Sequence, residues 1–203
     1  RSMPQRERRE RLSQFQVARP ELMQEFQLDV KRAAMYSVAL RSGPYRLGVG
    51  DIDLYQVFAW RLWQLLPDTG SIGIVLPRTA LSGAPLEHWR RQILTEGAFT
   101  SVCFATNTGG WIFENVHGQY TVAFVVASRI DAHVARFAGP FANAQEFAEG
   151  ASQLAEVPSA EFLSWSNTAA FPLIPDLVSA EIFRLMKRQP RFDSVLPEWE
   201  FRL

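Results

Sequence analysis

Two neighbouring apolar runs restrict what this chain can fold into more than any other feature. FTSVCFAT, residues 99–106, and YTVAFVVAS, residues 120–128, both read as strands; in the second, Tyr120, Val122, Phe124 and Val126 alternate with smaller residues. Too few residues separate the runs for the helical crossover that parallel pairing needs, so they are expected to form an antiparallel pair. The loop between them starts at Gly109-Gly110 and crowds Trp111, Phe113, Asn115 and His117 in front of a buried strand.

Elements upstream set the fold class. SIGIVLP, residues 71–77, is a continuous apolar run closed by Pro, the pattern of a parallel strand covered on both faces. APLEHWRRQILTEG follows as an amphipathic helix, with Pro85 near its first turn and Gly97 placed to end it. Before the strand, DIDLYQVFAWRLWQLL reads as a helix capped by Asp51 or Asp53, with Leu54, Phe58, Leu62 and Leu65 or Leu66 as its buried stripe. Residues 4–40 are helical in pattern, with Leu12, Phe15, Leu22, Phe26 and Val30 at roughly helical spacing and Pro20 as a break between two segments. HVARFAGPF is a weaker extended segment. The order helix, strand, helix, strand, loop, strand gives an α/β sheet ending in an antiparallel hairpin, the closing half of an open sheet. A half-sheet of this kind leaves an unpaired edge at Ser71–Leu76, a site for self-association.

Beyond Phe141, AEFLSWSNTAAFPLIPDL reads as a Pro-punctuated linker. SAEIFRLMKRQ reads as a short helix capped by Ser179, and PRFDSVLPEWEFRL follows without a terminator, so the chain looks cut at both ends. The 21 basic and 21 acidic residues cancel, and net charge argues for no polyanionic partner. Their distribution is uneven. Residues 1–46 carry ten Lys/Arg against five Asp/Glu, whereas six acidic and no basic residues lie between Arg136 and Arg184, a stretch that a polyanion should avoid. Cys103, the single cysteine, sits in an apolar run as a small buried hydrophobe. With no disulfide possible within the chain, no membrane-length apolar stretch and no signal-peptide centre, the expected setting is reducing and cytoplasmic.

Familiar chemistry is mostly missing. His88, His117 and His133 lack the spacing and the Cys partners of a zinc site. GxSxG, Walker A and GxGxxG motifs are absent. TNTGGWI reads as a turn after a strand sooner than as a phosphate cradle. Asp51 and Asp53 suit capping better than acid–base work. SGPYRLG, residues 42–48, lacks the Asn or Asp and the first Pro of the Asn/Asp-Pro-Pro-aromatic loop of amino-methyltransferases, and is read as a turn.

The succession GDIDLYQVF, SIGIVLPRTAL, helix, strand and WIFENVHGQYTVAFVVAS nevertheless resembles the later part of the catalytic domain of adenine-N6 DNA methyltransferases of the Eco57I-like class, found in restriction-modification and phage-defence systems. The likeness spans the chain in element order and is most specific at Gly50–Pro77 and Trp111–Ser128. It implies the second half of a Rossmann-like sheet at 48–141, a basic helical insertion at 1–47, and a linker with the start of a target-recognition region at 142–203. By the same resemblance Phe113 contacts an adenine rotated out of the duplex, and Asn115, His117 and Gln119 reach phosphates or base edges. Gly118 stands where related sequences often carry a basic residue. Phe58 and Leu54, helped by Tyr55, would form the wall beside the adenine of S-adenosylmethionine, although the helical pattern alone assigns Phe58 to the core stripe.

The implied partners are double-stranded DNA and the missing N-terminal half of the domain, which in the family carries the cofactor turn and the catalytic tetrapeptide. Neither motif is present in this sequence, so the chain alone is expected neither to transfer methyl groups nor to hold the cofactor tightly, and neither a metal nor a membrane partner is expected. The alternative is a non-catalytic DNA-binding or protein-interaction domain whose surface is the basic N-terminal helices, through Arg6, Arg8, Arg9 and Arg11.

Overall fold

Pro20 separates two helices in the N-terminal unit of the computed structural model, which describes residues 4–47, 51–130 and 132–189. Helix α1 spans Gln5–Ala18 and α2 spans Pro20–Ser42; Pro20 occupies the first turn of α2, where a missing N–H leaves no intrahelical bond unmade. The chain divides into two units between Arg46 and Leu47. No residue of α1 or α2 is buried, and Leu12, Phe15, Leu22, Phe26 and Val30 are exposed. Within α1, Arg6 pairs with Glu10 at 3.2 Å and Arg11 with Glu7 at 2.8 Å. Gly48–Gly50, where the methyltransferase-like stretch begins, and PRFDSVLPEWEFRL lie outside the described residues.

The second unit is α/β. Its elements are α3 (Leu54–Leu65), β1 (Ser71–Pro77), α4 (Thr79–Ser82), α5 (Glu87–Glu96), β2 (Ala98–Thr106), β3 (Thr121–Ser128), β4 (Val134–Phe141), α6 (Ala144–Gly150), β5 (Ala155–Pro158), α7 (Ser159–Trp165) and α8 (Leu177–Lys187). The described strands form one open, mixed sheet in the order β1-β3-β2-β4-β5. β2 and β3 are antiparallel, with Cys103 opposite Phe124, and β1 is antiparallel to β3, with Leu76 opposite Ala123. β1 and β2 therefore run in the same direction with β3 reversed between them. β4 joins the far side of β2 in parallel, and β5 pairs antiparallel with β4.

One face of the sheet carries the main core. Ala123, Val125 and Ala127 of β3 are buried there, beside Val102 and Phe104 of β2. A β-bulge between Phe99 and Ser101 brings Phe99 onto the same face, opposite Ala127, although it lies three residues from Val102. Trp89 of α5 meets Phe99 edge-on at 5.7 Å and donates its indole N–H to the Ala59 carbonyl of α3 at 3.1 Å. On the other face Cys103, Ala138 and Phe141 pack against Phe147, Ala151 and Leu154 from α6 and its following turn. The helix does not reach β1, where Val75 is 48% and Val126 of β3 38% exposed. Gly97 connects α5 to β2 so close to the Ser128 carbonyl that a Cβ would overlap it, which restricts the position to glycine.

Several expectations are corrected. The buried face of α3 is Gln56, Ala59, Trp60 and Trp63, while Leu54, Phe58, Leu62 and Leu65 face solvent. Two indoles hide more apolar surface than a Leu/Phe stripe, and Arg129 fixes the choice by lying over Trp63 at 4.4 Å and donating to its carbonyl at 3.0 Å. β1 is an edge strand with an antiparallel neighbour and only Leu76 fully buried, in place of a parallel strand covered on both faces. Asp53 stands at the N-cap of α3 without a side-chain cap bond. Asp176, and not Ser179, caps α8, its carboxylate accepting the Ser179 amide at 2.7 Å.

The stretch after Phe141 is built into the fold where a linker was expected. β5 extends the sheet, and Phe162, Trp165 and Phe171 are buried in an aromatic cluster with Phe137, because bulky rings gain more from packing than a polar connector gains from solvation.

Arg90 ties these parts together. It is fully buried and donates to four backbone carbonyls: Ala80 at 2.8 Å, Gly83 at 2.9 Å, Thr168 at 2.7 Å and Ala169 at 3.0 Å. Burial lowers its pKa to about 10, so it stays charged at neutral pH. Arg90→Ala removes these four bonds from a buried site and is expected to cost about 3–5 kcal/mol in urea unfolding, with Arg90→Lys losing roughly 1–3. An alanine variant unfolding at the parent midpoint would contradict this account.

A second tie is bidentate. Arg184 of α8 donates to both oxygens of Glu161 on α7 at 2.8 Å each, and these hydrogen bonds hold the Glu161 carboxyl below its ordinary range. A depressed carboxylate pKa stabilises the fold above the unfolded-state value and loses that effect as pH falls through the folded-state value. The stability gap between the parent and Glu161→Gln should be about 1 kcal/mol at pH 7 and close on acidification through that range, as read from unfolding midpoints.

Candidate nucleic-acid interface

The residues singled out between Trp111 and Tyr120 fall in one loop, which joins β2 to β3. Its entry is a tight turn with Gly109 and Gly110 at φ of 69° and 75°, values that side chains other than glycine rarely adopt. Its closure is a pair of backbone bonds: the Asn107 amide donates to the Tyr120 carbonyl at 2.9 Å and the Tyr120 amide to the His117 carbonyl at 3.0 Å. The Arg78 amide, just past β1, donates to the Thr121 carbonyl at 3.0 Å. The loop thus stands at the carboxyl ends of β1 and β2, the edge where open α/β sheets bind their ligands.

Within the loop the two large aromatics have different surroundings. Trp111 is half-buried; its indole donates to the Thr106 carbonyl at 2.7 Å and its ring lies 6.2 Å from Phe147, which makes it an anchor. Phe113 is 42% exposed. Asn115, His117 and Gln119 are exposed on the same loop. His117 Nδ1 accepts the Gln119 amide at 3.2 Å, so the neutral ring carries its proton on Nε2. The loop carries Glu114 as its one acidic residue and no Lys or Arg. The exposed Arg78 stands just past the carboxyl end of β1, where its amide bonds the Thr121 carbonyl at the start of β3.

Leu54 and Phe58 lie apart from this network, on the solvent face of α3, and are 72% and 61% exposed. They supply an apolar surface and no polar group. The α3 first turn is tied to the carboxyl end of β1 by the Tyr55 hydroxyl, 3.1 Å from the Thr79 hydroxyl.

Two residues of the loop were not anticipated. Tyr120 is 63% exposed and adds a second aromatic beside the site. Asn107 is fully buried, and its side chain bonds four backbone groups of residues 112–116. An Asn at a strand end before two glycines signals a turn, and that turn signal was the only trace of it in the sequence. Among the described residues no cluster of three or more His, Cys, Asp or Glu is placed to hold a metal ion, and no helix is long and apolar enough to cross a membrane.

No protein-family model matches this chain, and no curated protein matches it either.

Exposure separates stability from presentation here. Phe113→Ala should shift unfolding by less than about 0.5 kcal/mol, while Gly110→Ala, forced to a positive φ, should lose about 1 kcal/mol or more; thermal or urea midpoints measure both.

Proposed function

We propose that this chain is the cofactor-distal half of the catalytic domain of an adenine-specific DNA methyltransferase of a restriction-modification or defence system, acting in the cytoplasm on double-stranded DNA. The observation that carries this reading is the exposed Phe113, held at the carboxyl edge of a sheet in which β3 runs antiparallel between the mutually parallel β1 and β2. That order agrees with a Rossmann-like sheet closing in an antiparallel hairpin. The free edge of β1 and the apolar solvent faces of α3 and β1 suit docking of the missing N-terminal half.

In this mechanism Phe113 receives an adenine turned out of the duplex and restores part of the stacking it loses, about 1–3 kcal/mol per base. Asn115, His117 and Gln119 offer donors and acceptors to the base edge and to flanking phosphates; Tyr120 adds a second stacking surface. Leu54 and Phe58 form the apolar wall toward the cofactor. S-adenosylmethionine supplies the methyl group when bound. The groups that polarise the exocyclic amine belong to the partner half, so the contribution of this chain is positioning.

Methyl transfer from labelled S-adenosylmethionine to duplex DNA, measured on this chain alone and with the N-terminal half supplied in trans, is the test. Silence alone and activity on complementation, lost with Phe113→Ala, is the expected outcome. Activity of the chain alone would remove the half-domain reading. Silence in both arms with DNA binding intact would leave a non-catalytic binding domain.

A further inference from the structure

We propose that Asn107 is the positioning residue that presents Phe113 to the extruded base, an inference that rests on the base-contact reading above. Asn107 is fully buried, and its carboxamide uses all its ordinary hydrogen-bonding capacity on one short segment. Nδ2 donates to the Phe113 carbonyl at 2.9 Å and to the Val116 carbonyl at 2.7 Å. Oδ1 accepts the Ile112 amide at 3.1 Å and the Phe113 amide at 3.0 Å. Phe113 therefore has both its N–H and its C=O held by one side chain, while its ring remains 42% exposed.

The arrangement is specific to that segment. Loop closure uses the Asn107 backbone, through its amide to Tyr120 and its carbonyl to the Gly110 amide at 2.9 Å. Trp111 is anchored separately on Thr106 and Phe147. The Asn107 side chain is spent on residues 112–116, the part of the loop that carries the exposed aromatic. A platform ordered before binding does not lose that conformational freedom when a base arrives, so affinity rises without any contact between Asn107 and the ligand.

Asparagine also suits the task where close relatives do not. Aspartate fills the same volume and keeps both acceptor bonds, but its ionised carboxylate faces the Phe113 and Val116 carbonyls with no proton to give. Alanine removes all four bonds.

The test compares the parent chain with Asn107→Ala, Asn107→Asp, Phe113→Ala and the Asn107→Ala/Phe113→Ala double variant, each with the N-terminal half in trans. One readout is amide exchange at Ile112 and Phe113 in the free protein. The other is the affinity ratio for a duplex with a mispaired adenine, which is easier to extrude, over the matched duplex. The expected result is that both amides are protected in the parent and exposed in Asn107→Ala. Each single variant should lower the preference about tenfold, and the double variant should fall no further, since the two residues act as one unit.

Asn107→Asp is isosteric and carries the test if the alanine variant does not fold. Amides exchanging freely in the parent, or losses that add in the double variant, overturn the positioning role. Protected amides in a parent that shows no preference, or whose preference is unchanged by Phe113→Ala, overturn the base-contact reading and this role with it, leaving Asn107 as a loop clamp alone.

Discussion

A buried guanidinium with no carboxylate among its hydrogen-bond partners holds this fold together. The Arg90 donors reach α4 and its C-cap through Ala80 and Gly83, and the segment after α7 through Thr168 and Ala169. Those carbonyls lose a charged donor at a buried site if the arginine leaves, so the cost of breaking the arrangement exceeds its net worth as four hydrogen bonds. The same segment carries Phe171 into contact with Phe99 and Phe137, which joins β2 and β4 to the helical layer. A single side chain therefore couples the carboxyl end of β1 to the far side of the sheet. The candidate interface stands on that coupled edge.

How much of this was legible in the sequence depended on which physical term decided each element. β2 and β3 were readable because strand periodicity and a short connection leave one pairing. Pro20 and Gly97 were readable because each acts through its own backbone chemistry. The facing of α3 was not: LYQVFAWRLWQL offers an apolar stripe at Leu54, Phe58 and Leu62 and a second at Ala59, Trp60 and Trp63, and periodicity alone does not rank them. Tertiary partners do, through Trp89 on the Ala59 carbonyl and Arg129 on Trp63. The region after Phe141 was misread for a related reason. Its prolines and polar residues suggested a connector, whereas Phe162, Trp165 and Phe171 find their value only against aromatics distant in sequence, such as Phe137.

The candidate loop was legible in its exposed members and not in what supports it. Phe113, Asn115, His117 and Gln119 stand out as side chains with no strand or helix pattern to satisfy, and the structure leaves all four exposed on one loop. Asn107 carries the same residue type as Asn115 yet is fully buried, and nothing in a linear sequence separates an amide that will face solvent from one that will gather four backbone groups. Leu54 and Phe58 were linked to a core stripe by spacing, and exposure breaks that link, which leaves them available to whatever covers α3.

The placement of β3 has a bearing on how the chain comes to be folded. β1 and β2 are made first, yet neither touches the other; each pairs with β3, which is synthesised after both and inserts between them. Until residues 121–128 emerge, two apolar strands have no sheet neighbour on that side, and the loop bearing Phe113 has only one of its two supports. The β1–β3 and β2–β3 pairings both wait on residues 121–128, the same segment whose placement closes the loop bearing Phe113.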